Sequence, residues 1–360
     1  MSFDRNKPFN SLPELPTKKN IETKKILKST IAASRALAGA VNLCQQLPDD
    51  SIFYNSIFLK EAKESSEIEN IVTTNDELYQ SLSASQIIIN QNTKEVFHYT
   101  DALWNGLVKM KNTGVLTTNV FIEIVNTIKE NTAGIRVNPG IKIKNKKTDK
   151  TIYSPPEGKE IILNKLKNLE EYINTDDDID PLIKMSVIHY QFEAIHPFAD
   201  GNGRTGRIIN ILFLKLKGLL NHPMLFLSKY ILDNKDDYYT KLRDVTENEK
   251  WEEWILYMLK GIEETSLYTT KKIENILLLM DITKEKIKKE VPKIYSKDLL
   301  EVLFERPYCK IKFLENAGIA KRATASKYLK KLETIGILKS IVAGKEKLYI
   351  NTGFYKLLRD

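Results

Sequence analysis

Apolar positions recur at helical spacing through most of the chain. Ala32, Ala33, Leu37, Ala40, Val41 and Cys44 fall on one side of a helix, and the same period predicts helices near 54–68, 75–90, 94–112 and 117–130. Further helices are expected near 159–173, 181–195 and 204–218, with a long one from Trp251 to about 285. Asp177 to Pro181 is a good helix start, because aspartates lie near the positive end of the dipole and a proline in the first turn. The helical period lapses between Gly134 and Gly158. There Ile141 to Ile143 and Thr151 to Tyr153 alternate about a polar turn, Asn145 to Asp149, which reads as a short β-hairpin stopped by Pro155 and Pro156.

After Val291 and Pro292 the organisation changes. Leu299, Leu300, Val302 and Leu303 suggest one helix, and two more are expected over Ile311–Asn316 and Thr324–Ile335, then strands Ile337–Val342 and Lys347–Ile350 joined through Ala343, Gly344 and Lys345. Three helices and a hairpin are the order of a winged helix-turn-helix. The expected fold class is therefore mainly α, divided as an N-terminal helical region (1–110), a helical core with a hairpin (111–285) and a winged-helix domain (291–360).

Composition narrows the picture only modestly. Of 360 residues, 42% are hydrophobic and 28% charged, as in ordinary globular proteins, and the net charge of +8 permits an anionic partner without requiring one. Two distant cysteines, Cys44 and Cys309, give neither a disulfide framework nor metal-ligand spacing. No apolar run reaches the roughly 20 residues of a membrane span, and Met1 to Pro13 has no apolar signal core. A cytoplasmic protein in a reducing compartment, with no membrane partner, is expected.

The chemistry concentrates in His-Pro-Phe-Ala-Asp-Gly-Asn-Gly-Arg-Thr-Gly-Arg, residues 196–207. Pro197 disfavours helix at His196. Gly201, Asn202 and Gly203 take positive φ cheaply and form a tight turn whose N–H groups can converge at the start of a helix, a ready anion site. Arg204 and Arg207 share a helix face with Thr205 and Gly206 between them. Two guanidinium forks beside such a nest suit a polyphosphate. Asp200 stands where a carboxylate can share Mg²⁺ with phosphates. His196, at the lip, titrates in a range that suits a base taking a proton from a hydroxyl. The P-loop and kinase signatures do not occur.

This segment matches H-x-F-x-[DE]-G-N-G-R-x-x-R, the motif of the Fic family, at every fixed position, and the chain is identified as resembling that family over roughly residues 10–285. The resemblance implies an α-helical core that transfers AMP from ATP to a Ser, Thr or Tyr hydroxyl of a protein, with release of pyrophosphate. It implies His196 as base, Asp200 as Mg²⁺ ligand, and Gly201, Asn202 and Gly203 as anion hole. Arg204 and Arg207 would hold the distal phosphates, and Phe198 would anchor the loop. The hairpin lies where the family has a flap that pairs with the target's backbone, so Thr151, Ile152 and Tyr153 would border the site. Tyr238 and Tyr239 resemble a pair that borders adenine in some relatives, although Thr246 stands where asparagine is common.

Ser65 to Asn70 resembles the family's inhibitory motif, [ST]-x-x-x-E-[GN]. Ser65 and Glu69 are four apart, hence on one helix face, and Glu69 could pair with an arginine of the phosphate site, spoiling the in-line geometry of bound ATP. In the last domain, Lys321, Arg322, Thr324, Ser326, Lys327, Lys330, Lys331, Lys345 and Lys347 would give the third helix and the wing a basic face, fit for DNA or for protein docking. The expected protein is an autoinhibited adenylyltransferase using ATP and Mg²⁺, acting on another protein or on itself, with homodimerisation left open. The competing readings are a DNA-binding regulator that uses the core as a nucleotide sensor, a de-AMPylase, and a transferase of another phosphate-containing group.

Overall fold

In a computed structural model of the chain, residues 3–83, 90–144, 149–344 and 346–359 are described. The elements in chain order begin with α1 (Lys24–Cys44) and α2 (Asp50–Ile52), which runs through a π-helical stretch, Phe53–Phe58, into α3 (Leu59–Ile68). There follow α4 (Asn75–Ser83), α5 (Gln91–Thr113), α6 (Thr118–Lys129), β1 (Ile143–Lys144), β2 (Thr151–Tyr153), α7 (Lys159–Asn174), α8 (Pro181–Ile195) and α9 (Asn202–Leu216). After these come α10 (Leu227–Asp233), α11 (Lys235–Asn248), α12 (Trp251–Glu290), α13 (Lys297–Glu305), β3 (Tyr308–Cys309), α14 (Ile311–Asn316), α15 (Arg322–Thr334), β4 (Leu338–Ala343), β5 (Glu346–Asn351) and α16 (Thr352–Arg359). The fold is mainly helical, as the sequence predicts. Part of the hairpin turn, Asn145 to Thr148, lies outside the described residues, as do the end of the 75–90 helix and Lys345.

The sequence suggests three consecutive blocks, whereas the compact units interleave. One comprises Met1–Ala38, Glu64–Asn70 and Glu95–Ser266, and the other Gly39–Lys63, Ile71–Lys94 and Leu267–Asp360. Thus the Glu64–Ile68 end of α3 belongs with the core that follows it.

The first unit is built around α8. Asp180 caps it, its carboxylate accepting from the Leu182 N–H at 2.8 Å, and Pro181 occupies the first turn, where its missing N–H costs nothing. Of the helix's residues only Pro181 and Glu193 are less than fully buried, so α8 has no solvent face and is packed on all sides. Several of its buried polar groups find partners. Lys184 Nζ donates to the Thr175 carbonyl and to Asp177 (2.7 and 2.8 Å), and the Ser186 carbonyl accepts from Trp254 Nε1 at 2.8 Å. Phe192 of α8 meets Phe121 of α6 edge to face and also contacts Phe198, fixing the loop after α8 onto the core.

The second unit ends in α13, β3, α14, α15, β4, β5 and α16. Its sheet has the order β3-β5-β4, all antiparallel, with Leu338 opposite Asn351 and Ala343 opposite Glu346. Ser296 caps α13 by accepting from the Leu299 N–H at 3.0 Å. The helices and hairpin follow the expected order. The sequence pattern overlooked the two-residue strand β3 and the closing helix α16.

Candidate active site

The loop between α8 and α9 carries the candidate chemistry. His196 ends α8 in the left-handed region (φ 49°, ψ 58°), its N–H still bonded to the Phe192 carbonyl. A non-glycine residue is held there only when its surroundings demand it. Here Pro197 forbids a further helical turn, and Arg136 Nε donates to the His196 carbonyl at 2.7 Å. Six residues on, Asn202 turns its side chain inward. Its Oδ1 accepts from the Phe198 N–H (2.9 Å) and its Nδ2 donates to the Phe198 carbonyl (2.8 Å), so one amide clamps the loop.

Gly201 caps α9 at φ 84°, where a Cβ would also crowd Val125 at 3.1 Å. It offers no side-chain acceptor, so the N–H groups of Asn202, Gly203 and Arg204, in the uncapped first turn, have no intrahelical partner. With the helix dipole they are free to receive an anion, the role expected of this turn.

A carboxylate already lies over that site. A Cβ on Gly203 would fall 2.3 Å from Glu69 Oε1, so only glycine leaves it room. Arg207 is buried and is held by the same segment through Nε and Nη2. Its Nε donates to Ser65 Oγ (2.8 Å), and its Nη2 donates to the Ser65 carbonyl (2.9 Å) and to Glu69 Oε1 (2.8 Å). Burial opposes ionisation of Glu69, yet Arg207 by charge and hydrogen bond, with Arg204 and Lys235 behind it, holds the carboxyl below its usual range. Arg207 is correspondingly pushed up.

A Fic/DOC N-terminal family model matches residues 27–108, the Fic/DOC family model matches residues 115–214, and the model "Protein adenylyltransferase SoFic-like, C-terminal domain" matches residues 279–354. The chain belongs to the Fic/DOC family. A probable protein adenylyltransferase of Aquifex aeolicus (strain VF5), aq_aa38, is 34% identical over 95 residues, 26% of this chain and 27% of that protein. The protein adenylyltransferase fic-1 of Caenorhabditis elegans is 30% identical over 89 residues, 24% of this chain and 16% of that protein. Each match takes in about a quarter or less of the curated relative's length. The crystal structure of a Fic family protein from Desulfovibrio desulfuricans G20 superposes over 92% of this chain and 97% of that one, with a TM-score of 0.54 and 16% identity, a likeness of fold.

Within the Fic loop, His196 is half-buried and its imidazole is held to about 4, chiefly by burial and by the charge of Arg136, against the opposing pull of the Glu193 carbonyl, Glu69 and Asp200. It is therefore neutral at neutral pH. Its Nδ1 is enclosed without a fully formed hydrogen bond. Asp200 is exposed, bonded through Oδ1 to the Gly201 N–H (2.6 Å) and through Oδ2 to Lys129 Nζ (2.7 Å). Arg204 is buried and donates to Glu95 at 2.8 Å, with its Nε lacking a partner. Thr205 is buried, and Gly206 lets α9 approach Phe192 and Glu193 of α8.

The hairpin pairs Ile143 with Tyr153 and Lys144 with Thr151, with a bulge between. Tyr153 does not face the site. It is buried, stacks on Phe3, and donates from its hydroxyl to the Ala194 carbonyl at 2.8 Å, leaving half-buried Thr151 and Ile152 as the hairpin's outer residues. The tyrosines likewise divide. Tyr238 is buried, 2.8 Å from His189 Nε2, and packs against Trp254. The Asn210 side-chain amide lies 3.0 Å from His189 Nδ1, so both ring nitrogens have a partner. Tyr239 is exposed but close enough to Glu69 and Arg207 to feel both charges. Thr246 bonds Tyr190 rather than opening toward the loop.

Sequence reasoning missed Lys129, Glu95 and Arg136. Their contacts with the loop span 60 residues or more, so spacing carries no trace of them. Only Arg136 had a signal, as an arginine in a stretch of glycine and proline with no helix surface to decorate.

Proposed function

We propose that this chain transfers AMP from ATP to a Ser, Thr or Tyr hydroxyl of a protein, and that Glu69 holds the reaction in check. The observation that carries the reading is the engagement of Arg207 Nε and Nη2 by Ser65 and Glu69 beside the uncapped start of α9. The two relatives named protein adenylyltransferase support the choice of reaction.

In this scheme His196, neutral at the working pH, accepts the proton of the target hydroxyl. The hydroxyl oxygen then bonds to the α-phosphorus as the bond to pyrophosphate breaks. The N–H groups of Asn202, Gly203 and Arg204 receive phosphate oxygens, and Arg207 takes the distal phosphate once Glu69 withdraws. While Glu69 stays, a phosphate oxygen directed at Nη2 meets a carboxylate, and the α-phosphorus is not aligned for attack. Among the described residues no group of three His, Cys, Asp or Glu side chains could hold a metal. One exposed carboxylate, Asp200, nevertheless fits Mg²⁺ arriving with phosphates, which typically supply the other oxygens. Bound there, Mg²⁺ would neutralise phosphate charge. Lys129 would then give up its hold on Asp200.

The test is transfer of label from ATP marked at the α-phosphate, with Mg²⁺, by the parent chain, by Glu69→Gly, and by Glu69→Gly with His196→Ala. Label should reach protein in the second and fail in the third, with nucleotide binding retained. A folded, nucleotide-binding Glu69→Gly protein that labels neither itself nor the proteins of a cell extract would overturn the reading.

A further inference from the structure

The net charge of the chain is not spread over it. Residues 291–360 contain 15 Lys and Arg against 7 Asp and Glu, a net charge of +8, which is the net charge of the whole sequence. The preceding 290 residues are therefore neutral on balance. A lysine excess that merely solvated helix surfaces would be distributed.

Within this segment the charge collects on α15. Ala325, Leu329 and Leu332 face inward and are buried. The opposite stripe is Ala323, Lys327, Lys330 and Thr334, flanked by Thr324 and Lys331, all exposed, and Lys321 and Arg322 open the helix. Among the described residues none of the five basic side chains from Lys321 to Lys331 makes an ion pair, whereas on α12 Lys271 pairs with Glu274 and Lys288 with Glu285. The one acid of α15, Glu333, is turned to the hairpin, where it accepts from the Ser340 N–H at 2.8 Å. Lys321 and Arg322 sit at the positive end of the helix dipole, so they oppose their own helix. The charge thus serves no contact inside the protein.

The setting has the geometry of a groove reader. α14 and α15 are joined by a short turn through Gly318 at φ 68°, and β4 and β5 follow as a hairpin that adds exposed Lys339 and Lys347. A helix of 13 residues is about 20 Å long and fits the major groove, and small residues at 323, 324 and 326 let its backbone come close. An acidic protein would be met equally well by scattered lysines. A lone outward helix stripe beside a basic hairpin matches two phosphate strands with a groove between them.

We propose that α15 and the β4–β5 hairpin form a binding surface for duplex DNA, with α15 in the major groove. This does not rest on the transfer reading and concerns the other compact unit. The experiment is fluorescence anisotropy of the full chain with a labelled mixed-sequence duplex of about 30 base pairs, from about 50 to 200 mM salt. The parent should bind saturably, with log affinity falling linearly in log salt. Replacing both Lys327 and Lys330 by alanine should weaken binding at least tenfold and flatten the slope by roughly 1.8, since each lost phosphate contact contributes about 0.9. A Lys271→Ala, Lys288→Ala control should bind as the parent does. Absence of saturable binding would overturn the proposal. So would an unchanged slope in the Lys327, Lys330 variant with its melting temperature intact, or equal affinity for poly-glutamate, which would mark the face as a dock for acidic protein.

Discussion

Replacing Glu69 by glycine removes one end of the ion pair to Arg207 and leaves the other end buried. The pair is 2.8 Å long, with the Arg207 side chain 2% and the Glu69 side chain 33% exposed. At an effective dielectric near 20 the bare attraction is about 6 kcal/mol. Desolvation of Arg207 and screening at the open side of Glu69 reduce the net value to about 2–3 kcal/mol. If a distal phosphate must displace Glu69 to reach Nη2, that contest lowers productive binding by about 30- to 150-fold, at 1.4 kcal/mol per tenfold. Glu69→Gly should therefore raise the initial rate of AMP transfer by a factor in that range. The same loss leaves Arg207 with the two Ser65 contacts alone, so the variant should melt a few degrees lower. Activity and stability moving in opposite directions distinguish this from general damage, which lowers both. Initial rates from α-labelled ATP and thermal melts of the same preparations make the comparison. Ser65→Ala, which removes one acceptor and leaves the charge pair, should activate only a few-fold. A Glu69→Gly protein that melts lower yet transfers no faster would refute the reasoning, because the pair would then be structural.

Other expectations follow from the same geometry. Asn202→Ala leaves the Phe198 N–H and carbonyl unsatisfied in a buried loop and should cost about 2–4 kcal/mol in denaturant titration, against less than 1 for an exposed asparagine such as Asn92. His189 and His196 are held neutral, to about 3 and about 4, below the ordinary 6.5, so the unfolded chain takes up their protons first and stability should fall as pH drops below about 6.5. Glu193, raised to about 7 mainly by burial, works in the opposite sense between about 4.5 and 7, yet two histidines outweigh one carboxyl, and thermal melts from pH 7.5 to 5 should show the net loss. Glu193→Gln should stabilise at pH 8 by up to about 3 kcal/mol and by little at pH 5, and equal gains at both pH values would contradict the assignment.

The loop was legible because its determinants are contiguous. Pro197 fixes where α8 stops, Gly201 supplies the positive φ, and Asn202 reaches only as far as Phe198. The Ser65 and Glu69 spacing likewise places both groups toward one partner, and the structure brings both to Arg207. What the sequence withheld depends on chain separation or on choosing a face. Nothing local tells Arg204 to meet Glu95, or Lys129 to meet Asp200. Three alternating residues, Thr151 to Tyr153, do not say which side is inward, and burial of the Tyr153 ring against Phe3 decides it. Adjacent Tyr238 and Tyr239 must point apart on a helix, and only the aromatic cluster around Trp254 selects which enters the core.

Ser65 precedes Arg207 by 142 positions. A ribosome therefore releases the restraining segment well before the arginine it captures, and N-terminal parts generally fold first during synthesis. When α9 emerges, its partner is already waiting. Under the proposed restraint, a chain born in this order passes through no interval in which a finished Fic loop stands unguarded, whereas the reverse order would expose every new molecule's loop until the restraint was made. Loss of the early residues, by an internal start or a proteolytic cut, would remove the guard and spare the loop, so fragments lacking residues before 70 deserve assay as unrestrained forms.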